Sequence, residues 1–294
     1  MEIEENRDEM RVTDSKNKHY GRAVIDILMF AVFFGVSFML FTMPLAFVFD
    51  DLKNIQVSTN IQFLIWYETI MLICVFLAAW IVFRIRKSPL ARLGLSLKGH
   101  WKDWLGGIAF AIILYAVGFG LSLAFGAVEI VGFVFQPSSL LLTLVFYLLV
   151  AIAEEFMVRG FILGRLIDGG FNKYLALFIS SVIFSLMHIL NPNFAFIPFL
   201  NIILAGIFLG ASYIYTRNLC FPIALHWFWN WLQGSVLGYE VSGNKFGKSL
   251  LELRLPEANL LNGGTFGFEG SILCSVLLMI GTVVIMRYYL RNSD

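Results

Sequence analysis

The chain has 294 residues, of which 59% are hydrophobic and only 14% charged, with a formal net charge of +1. Because soluble domains carry roughly 25% charged residues, this composition excludes an ordinary soluble protein and indicates an integral membrane protein. The near-zero net charge gives no electrostatic basis for a nucleic-acid partner. The three cysteines stand in apolar segments without metal-binding spacing, so we expect them to be small buried side chains.

The chain divides into a short polar tail and one membrane domain. Residues 1–22 are polar and mixed in charge, and we expect a disordered cytoplasmic tail there, followed by a single transmembrane domain over 23–290. Eight apolar segments are long enough to cross a bilayer. They are 24–49, 62–83, 106–128, 139–164, 174–190, 197–216, 219–237 and 270–287. The predicted fold class is an all-α membrane protein, a polytopic bundle of about eight transmembrane helices.

The distribution of basic residues predicts the orientation of this bundle. Sixteen of the 21 Lys and Arg residues fall in the tail, in alternate loops on the same side and at the C-terminus. Four fall in the opposite loops, and Arg159 lies inside a span. Since cytoplasmic loops carry the excess of basic residues, both termini are expected in the cytoplasm. The compact loops favour a prokaryotic plasma membrane.

The fourth predicted span contains three charged residues close together, Glu154, Glu155 and Arg159. A charge at the centre of a spanning helix costs about 2.5–3.5 kcal/mol on insertion scales, so such residues pair, face a cavity or act chemically. Glu155 and Arg159 are four residues apart, in the order that favours an ion pair on one helix face. Glu154 points away from that pair and is therefore free to act as a general base in a cavity.

The fifth and seventh predicted spans carry polar residues at the same helical spacing. Phe184 and His188 are four residues apart in one span, and so are His226 and Asn230 in the other. Taken singly, an intramembrane histidine is usually an interhelical hydrogen bonder. Since each polar side chain is unfavourable in lipid, we expect the set to converge inside the bundle. A cavity reached from the cytoplasmic side fits their depth, and so does an opening between helices.

Three motifs in this order, each on its own span, resemble the CPBP family of CAAX prenyl protease-like and bacteriocin-processing intramembrane proteases, also called the Abi family. The motifs are Glu154-Glu155-x-x-x-Arg159, Phe184-x-x-x-His188 and His226-x-x-x-Asn230. The resemblance covers about residues 139–237. It implies a bundle that encloses a polar cavity and hydrolyses a peptide bond within or near the membrane.

The resemblance also implies a role for each motif residue. Glu154 would be the general base, and His188 would be its partner in holding the attacking water. His226 and Asn230 would donate hydrogen bonds to the oxyanion of the tetrahedral intermediate. The residues expected to support the site are Glu155, Arg159 and Phe184.

Several alternatives stay open from the sequence. No cofactor is expected, but Glu154, His188 and His226 are also a possible zinc ligand set, as in His₂Glu metalloproteases. A non-catalytic scaffold or bacteriocin-immunity protein of the same fold is the first functional alternative, and a proton-coupled transporter is the second. The expected partners are the lipid bilayer and a peptide or membrane-anchored protein substrate. Prenylated C-termini, leader or signal peptides and membrane-anchored regulators are the substrate classes considered; the sequence sets no oligomeric state.

Overall fold

The computed structural model describes residues 2–43, 60–89, 93–256 and 259–291, with side chains from residue 19 onward. The helices are α1 (Glu2–Thr42), α2 (Ile61–Arg86), α3 (Trp101–Ala124), α4 (Pro137–Glu155), α5 (Gly164–Asp168), α6 (Lys173–Met187), α7 (Phe196–Gly210), α8 (Tyr213–Thr216), α9 (Cys220–Trp231) and α10 (Ile272–Arg291). The protein is therefore an all-α polytopic membrane protein, as the sequence predicts.

Six described helices are long and apolar enough to cross a membrane. They are His19–Thr42 within α1, Ile61–Arg86, Trp101–Ala124, Pro137–Asp168, Phe196–Thr216 and Ile272–Arg291. The fifth and seventh predicted spans also fold as helices but are shorter, because α6 has 15 residues and α9 has 12. The end of the first predicted span, 44–49, lies outside the described residues.

The helix α1 begins at Glu2, within the stretch where the sequence predicts a disordered tail. The side chains of residues 1–18 lie outside the described ones. The division into a tail over 1–22 and one domain over 23–290 stays a prediction.

Capping residues and a proline fix the ends of several helices. Asn60 and Asn172 cap α2 and α6, since each side-chain carbonyl accepts hydrogen bonds from the backbone of the first turn. Pro137 occupies the first turn of α4, where its missing N–H is not needed. Lys87 ends α2 in a left-handed conformation.

Two of the three helices that carry motifs, α4 and α9, continue into π-helices, and the first of these π-helices contains Arg159. A π-helix over Phe156–Leu163 follows α4 and its two glutamates, and a second over Leu232–Val236 follows α9. Wide π-turns inside α-helices occur frequently at functional sites. The spacing of apolar residues does not predict this change.

The two long loops on the predicted outer side are joined by a small sheet, which the sequence analysis did not predict. Strand β1 (Glu129–Phe133) pairs antiparallel with β2 (Leu251–Arg254), and an irregularity lies between Ile130 and Gly132. Beyond β2, Phe266 and Phe268 are 2% and 1% exposed, so the glycine-rich stretch packs back into the bundle.

Small residues bring α6 and α7 close together around the site. A Cβ atom on Gly206 would lie 2.6 Å from the Cβ of Ser181, and one on Gly210 would lie 2.4 Å from Cδ1 of Leu177. Such small residues at four-residue spacing are typical of helix contacts in membranes. The three cysteines are free and buried, which confirms the sequence expectation.

Candidate functional site

A cavity of about 260 Å³ lies between the helices that carry the three motifs. Its wall includes Glu154 from α4, His188 at the end of α6, and His226 and Asn230 from α9. The structure therefore brings together the four residues that the sequence analysis proposes as catalytic. Other lining residues are Glu68, Met71, Tyr147, Phe184, Asn191, Trp229, Val241, Ser242, Asn244, Phe246 and Glu269.

Glu155 lies behind the cavity wall in a fully buried ion pair. Its Oε1 accepts a hydrogen bond from Nη1 of Arg159 at 2.7 Å, and both side chains are 0% exposed. The pairing predicted from the four-residue spacing is confirmed. The same Oε1 lies 2.8 Å from Nδ1 of His226, so one carboxylate holds an arginine and an imidazole from two different helices.

Arg159 joins this pair to α7 and α6. Its Nη2 donates to the backbone carbonyl of Gly206 at 3.0 Å. Its guanidinium carbon lies 4.6 Å from the centre of the Phe184 ring, a cation–π contact. Arginine suits this position because it offers several donors in a fixed plane. Arg159 therefore links the π-helix after α4 to α6 and α7 beside the cavity.

His226 connects the buried pair to the cavity. Since the Glu155 carboxylate can only accept, Nδ1 of His226 carries the proton in that contact. Its Nε2 then faces the other carboxylate, 3.8 Å from Oε2 of Glu154. Glu154 is 18% exposed at the side chain, whereas Glu155 is fully buried. The two adjacent glutamates thus occupy different environments, one inside the packed bundle and one at the cavity.

His188 also has a defined ring orientation. Its Nδ1 donates to the backbone carbonyl of Phe184 at 2.8 Å, which leaves Nε2 as the free ring nitrogen. The Phe184 ring packs edge-on against it, with centroids 4.7 Å apart. Among the described residues, the imidazole within ion-pair distance of Glu154 is that of His226, whereas His188 shares the cavity with Glu154.

Part of the cavity wall comes from the loop between α9 and α10, through Val241, Ser242, Asn244 and Phe246, which we call the roof. Glu269, a buried glutamate of the same loop, holds the roof in place. Glu269 accepts hydrogen bonds from Nε1 of Trp229 at 3.1 Å and from N and Oγ of Ser242 at 2.8 and 2.7 Å. Asn230, the next residue after Trp229 along α9, is 6% exposed and lines the cavity. Burial raises the pKa of Glu240, two residues before Ser242, and nearby Lys245 partly opposes this.

The sequence analysis missed two acidic residues of the cavity, Glu68 and Glu269. Glu68 lies in α2 and interacts electrostatically with Glu154 across the cavity. It is the one charged residue within the second predicted span, 62–83, and that was a usable signal. Glu269 stands in a glycine-rich loop, where one acidic residue is ordinary and gives no signal.

The zinc ligand set considered from the sequence is not assembled as a cluster among the described residues. Within the described part of the chain, no three His, Cys, Asp or Glu side chains form a group that could hold a metal ion. Both imidazoles use Nδ1 in hydrogen bonds, His226 with Glu155 and His188 with Phe184, and each has Nε2 left over, so these bonds do not decide for or against a metal. The chemistry below is therefore derived from the protein's own residues, and metal independence stays a prediction.

Fold and site together define a polytopic membrane protein with carboxylates and imidazoles converging on an intramembrane cavity. The model of the family described as type II CAAX prenyl endopeptidase Rce1-like matches residues 136–232. That range contains all three motifs, and the match confirms the resemblance to the CAAX protease family. It indicates a peptidase that acts in a lipid environment on a peptide substrate. Neither the curated proteins nor the solved structures gave a match.

Proposed function

We propose that this protein is an intramembrane endopeptidase in which Glu154 activates water for attack on a peptide bond. The observation that carries the proposal is the separation of the two neighbouring glutamates. Glu155 is neutralised by Arg159 and His226, while Glu154 lies at the cavity without an arginine partner among the described residues. A carboxylate at a cavity without an arginine partner is available to accept a proton from water.

The attacking water would lie between Glu154 and His188. Because Nδ1 of His188 donates to a backbone carbonyl, its Nε2 is available as an acceptor. A water molecule that donates one hydrogen to Nε2 and the other to Glu154 directs an oxygen lone pair towards the substrate carbonyl carbon. Glu154 takes the proton as the C–O bond forms, and later delivers it to the departing amide nitrogen as the C–N bond breaks. A positioned general base of this kind contributes roughly 10²–10⁴-fold in rate.

His226 and Asn230 would stabilise the oxyanion. Nδ1 of His226 is committed to Glu155, so the imidazole must carry a second proton at Nε2 to donate to the substrate oxygen. The neighbouring charges support that state, since the carboxylates of Glu154 and Glu155 both lie within ion-pair distance of the His226 ring. Asn230 supplies a neutral amide donor from the same wall. One oxyanion donor is typically worth about 10²–10³-fold in kcat.

The substrate class is proposed from the family and the site together. The matching family is described as type II CAAX prenyl endopeptidase Rce1-like, and CAAX is a C-terminal motif whose cysteine is prenylated. A prokaryotic plasma membrane, favoured by the compact loops, makes leader peptides, signal peptides and membrane-anchored regulators the better candidates for this chain.

Comparison of protein termini tests the proposal. N- and C-termini of membrane proteins are measured in cells that carry the wild type or Glu154→Gln at equal expression, with Glu129→Gln as the matched control. Glu129 pairs with Arg254 on the exposed sheet, away from the cavity. We expect new termini with the wild type and the control but not with Glu154→Gln. Identical termini in all three strains would contradict proteolysis and favour the scaffold or immunity function.

A further inference from the structure

A second pocket, of about 200 Å³, lies where the ends of three membrane spans meet. The spans are His19–Thr42, Ile61–Arg86 and Pro137–Asp168, and the pocket is formed where the first begins and the other two end. It therefore lies at the level where lipid headgroups meet water, whichever side of the membrane this is. None of its lining residues belongs to the cavity around Glu154.

Guanidinium groups outnumber carboxylates in this pocket. Its lining includes three arginines and two aspartates, namely Arg22, Arg86, Arg165, Asp26 and Asp168. Each aspartate already has two guanidinium neighbours, one of which is Arg217 outside the lining. Arg22 has no ion-pair partner among the described residues. With His19 counted as neutral, the lining thus has an excess of positive charge.

The α1 side of the pocket is held by close packing. A Cβ atom on Gly169 would lie 2.5 Å from the Cβ of Ala23, so the turn after α5 runs directly against α1. Ala23 is 4% exposed. One turn earlier, the Tyr20 ring packs edge-on against Phe171, with centroids 4.8 Å apart. Arg22 is therefore carried by a helix whose position relative to α5 is fixed.

An apolar groove of about 240 Å³ continues from the pocket along α1. It is lined by Ile25, Leu28, Met29, Val32 and Phe33. Met29 and Phe33 follow Arg22 by seven and eleven residues, so all three share one helix face. At 1.5 Å per residue, Phe33 is about 16 Å from Arg22 along the axis. That distance is about half of a 30 Å hydrocarbon core, which is the depth of one leaflet.

This combination of a basic pocket and an adjoining apolar groove matches the chemistry of an anionic phospholipid. The planar guanidinium group suits the oxygens of a phosphate, and basic pockets between membrane spans bind anionic headgroups. The hydroxyl of Ser88, which also lines the pocket, is a neutral donor beside the arginines. An acyl chain attached to the same molecule has the groove within reach.

We propose that the pocket and the groove form a binding site for a phospholipid with an anionic headgroup. The headgroup phosphate binds beside Arg22 and Arg86, and one acyl chain lies along α1 as far as Phe33. The bound lipid joins α1 to α2 and α5. This proposal goes beyond the peptidase function and does not depend on it, because the site has its own residues.

Lipid binding to the purified full-length protein in mild detergent tests the proposal. Native mass spectrometry measures the Kd of phosphatidylglycerol and of phosphatidylcholine with the same acyl chains. Arg22→Gln removes the unpaired guanidinium from an exposed position. Arg84→Gln is the matched control, since Arg84 is exposed in the last turn of α2 but does not line the pocket.

Two further variants test the groove. Val32→Trp fills it from a position that is 61% exposed, and Val117→Trp is the control at an exposed position of α3, 46% exposed and outside the groove. Thermal unfolding with added inorganic phosphate or phosphatidylglycerol distinguishes a free anion from a lipid headgroup.

We expect phosphatidylglycerol to bind about fivefold more tightly than phosphatidylcholine, and Arg22→Gln to raise its Kd by about fivefold. Arg84→Gln and Val117→Trp should leave the Kd unchanged, whereas Val32→Trp should raise it for both lipids. Equal Kd values for the two lipids, or equal losses in Arg22→Gln and Arg84→Gln, would overturn the proposal. Equal stabilisation by inorganic phosphate and by phosphatidylglycerol, undiminished in Val32→Trp, would also overturn it, since a free anion needs no groove.

Discussion

Two clusters of charged side chains, one at the C-terminal end of the fourth span and one near its middle, differ in how completely their charges are paired. Near the predicted cytoplasmic end, Asp26 faces Arg86 and Arg165, and Asp168 faces Arg165 and Arg217. Each carboxylate there has two guanidinium neighbours. At the cavity, Glu155 is paired with Arg159 and His226, whereas Glu154 has only the His226 imidazole within ion-pair distance among the described residues.

The difference shows why similar residue types can serve structure in one place and chemistry in another. Each aspartate of the first cluster is paired with two arginines and is not part of the cavity lining, so this cluster ties α1, α2 and α5 together. The cavity cluster leaves Glu154 incompletely neutralised beside a space of about 260 Å³. Incomplete pairing next to a cavity is what allows proton transfer, and each prediction below tests that contrast.

The largest expected effect is on activity, from replacing the incompletely paired carboxylate. Glu154→Gln keeps the shape of the side chain but removes the base, so kcat should fall by about 10²–10⁴-fold. Asp168→Asn in the other cluster should leave kcat within about a factor of two, because its carboxylate does not line the cavity and is not placed to act as the base. Single-turnover cleavage of a substrate found by the termini comparison measures both. Equal losses in the two variants would show that pairing does not separate the clusters.

Removing an arginine should lower the free energy of unfolding more in the cavity cluster than in the other cluster. Arg159→Met leaves Glu155 uncompensated in a fully buried position and should lower the free energy of unfolding by about 3–5 kcal/mol. Arg217→Met affects a pair in which Arg217 is 30% and Asp168 26% exposed at the side chain, and should lower it by about 0–1 kcal/mol.

Unfolding in mild detergent, followed by denaturant titration, compares the two arginine variants. A loss with Arg159→Met no greater than with Arg217→Met would mean that the Glu155–Arg159 pair is not a structural support of the site.

The oxyanion assignment predicts a loss of rate without a loss of fold. Asn230→Ala should lower kcat by about 10²–10³-fold with little change in KM. Asn201→Ala is the matched control, because that amide donates to the carbonyls of Glu269 and Ser271 and holds structure rather than substrate. It should lower thermal stability and change kcat little. A shift in KM alone for Asn230→Ala would assign it to substrate binding instead.

Replacing Glu269, which bonds to Ser242 of the roof, should have a smaller effect, a decrease in the free energy of unfolding. Glu269→Gln replaces one accepting oxygen by an NH₂ group, so at least one of its three hydrogen bonds is lost. Hydrogen bonds to charged groups contribute about 1.5–3 kcal/mol each. We expect a decrease of that size in the free energy of unfolding, measured as for the arginine variants. An unchanged value would show that the roof is held by Phe266 and Phe268 instead.

The smallest expected effect comes from metal chelation. Because the described residues form no group of three metal ligands, activity should be unchanged after dialysis against 1,10-phenanthroline. A loss restored by added zinc would contradict the mechanism proposed for Glu154 and require Glu154, His188 and His226 to rearrange around the ion. Addition of zinc to the chelated protein is therefore the control.

Much of the fold could be predicted because the signals are local. Apolar runs long enough to span a bilayer predict helices, and Glu155 and Arg159 meet because residues four apart share a helix face. The π-helices, the β1–β2 sheet and the cavity position of Glu68 depend on contacts between distant segments. Spacing within a single helix carries no information about those contacts.

The sequence by itself determined the membrane class, the helices and the set of motif residues, since composition and helical spacing act within one segment at a time. Only the tertiary structure decided that His226 bonds to Glu155, that Glu154 faces the cavity beside it, and that the loop held by Glu269 forms the roof. Those outcomes depend on how separate helices pack against each other. In a bundle whose helices are nearly uniformly apolar, the few polar contacts and small residues that fix this packing become evident once the segments are placed together.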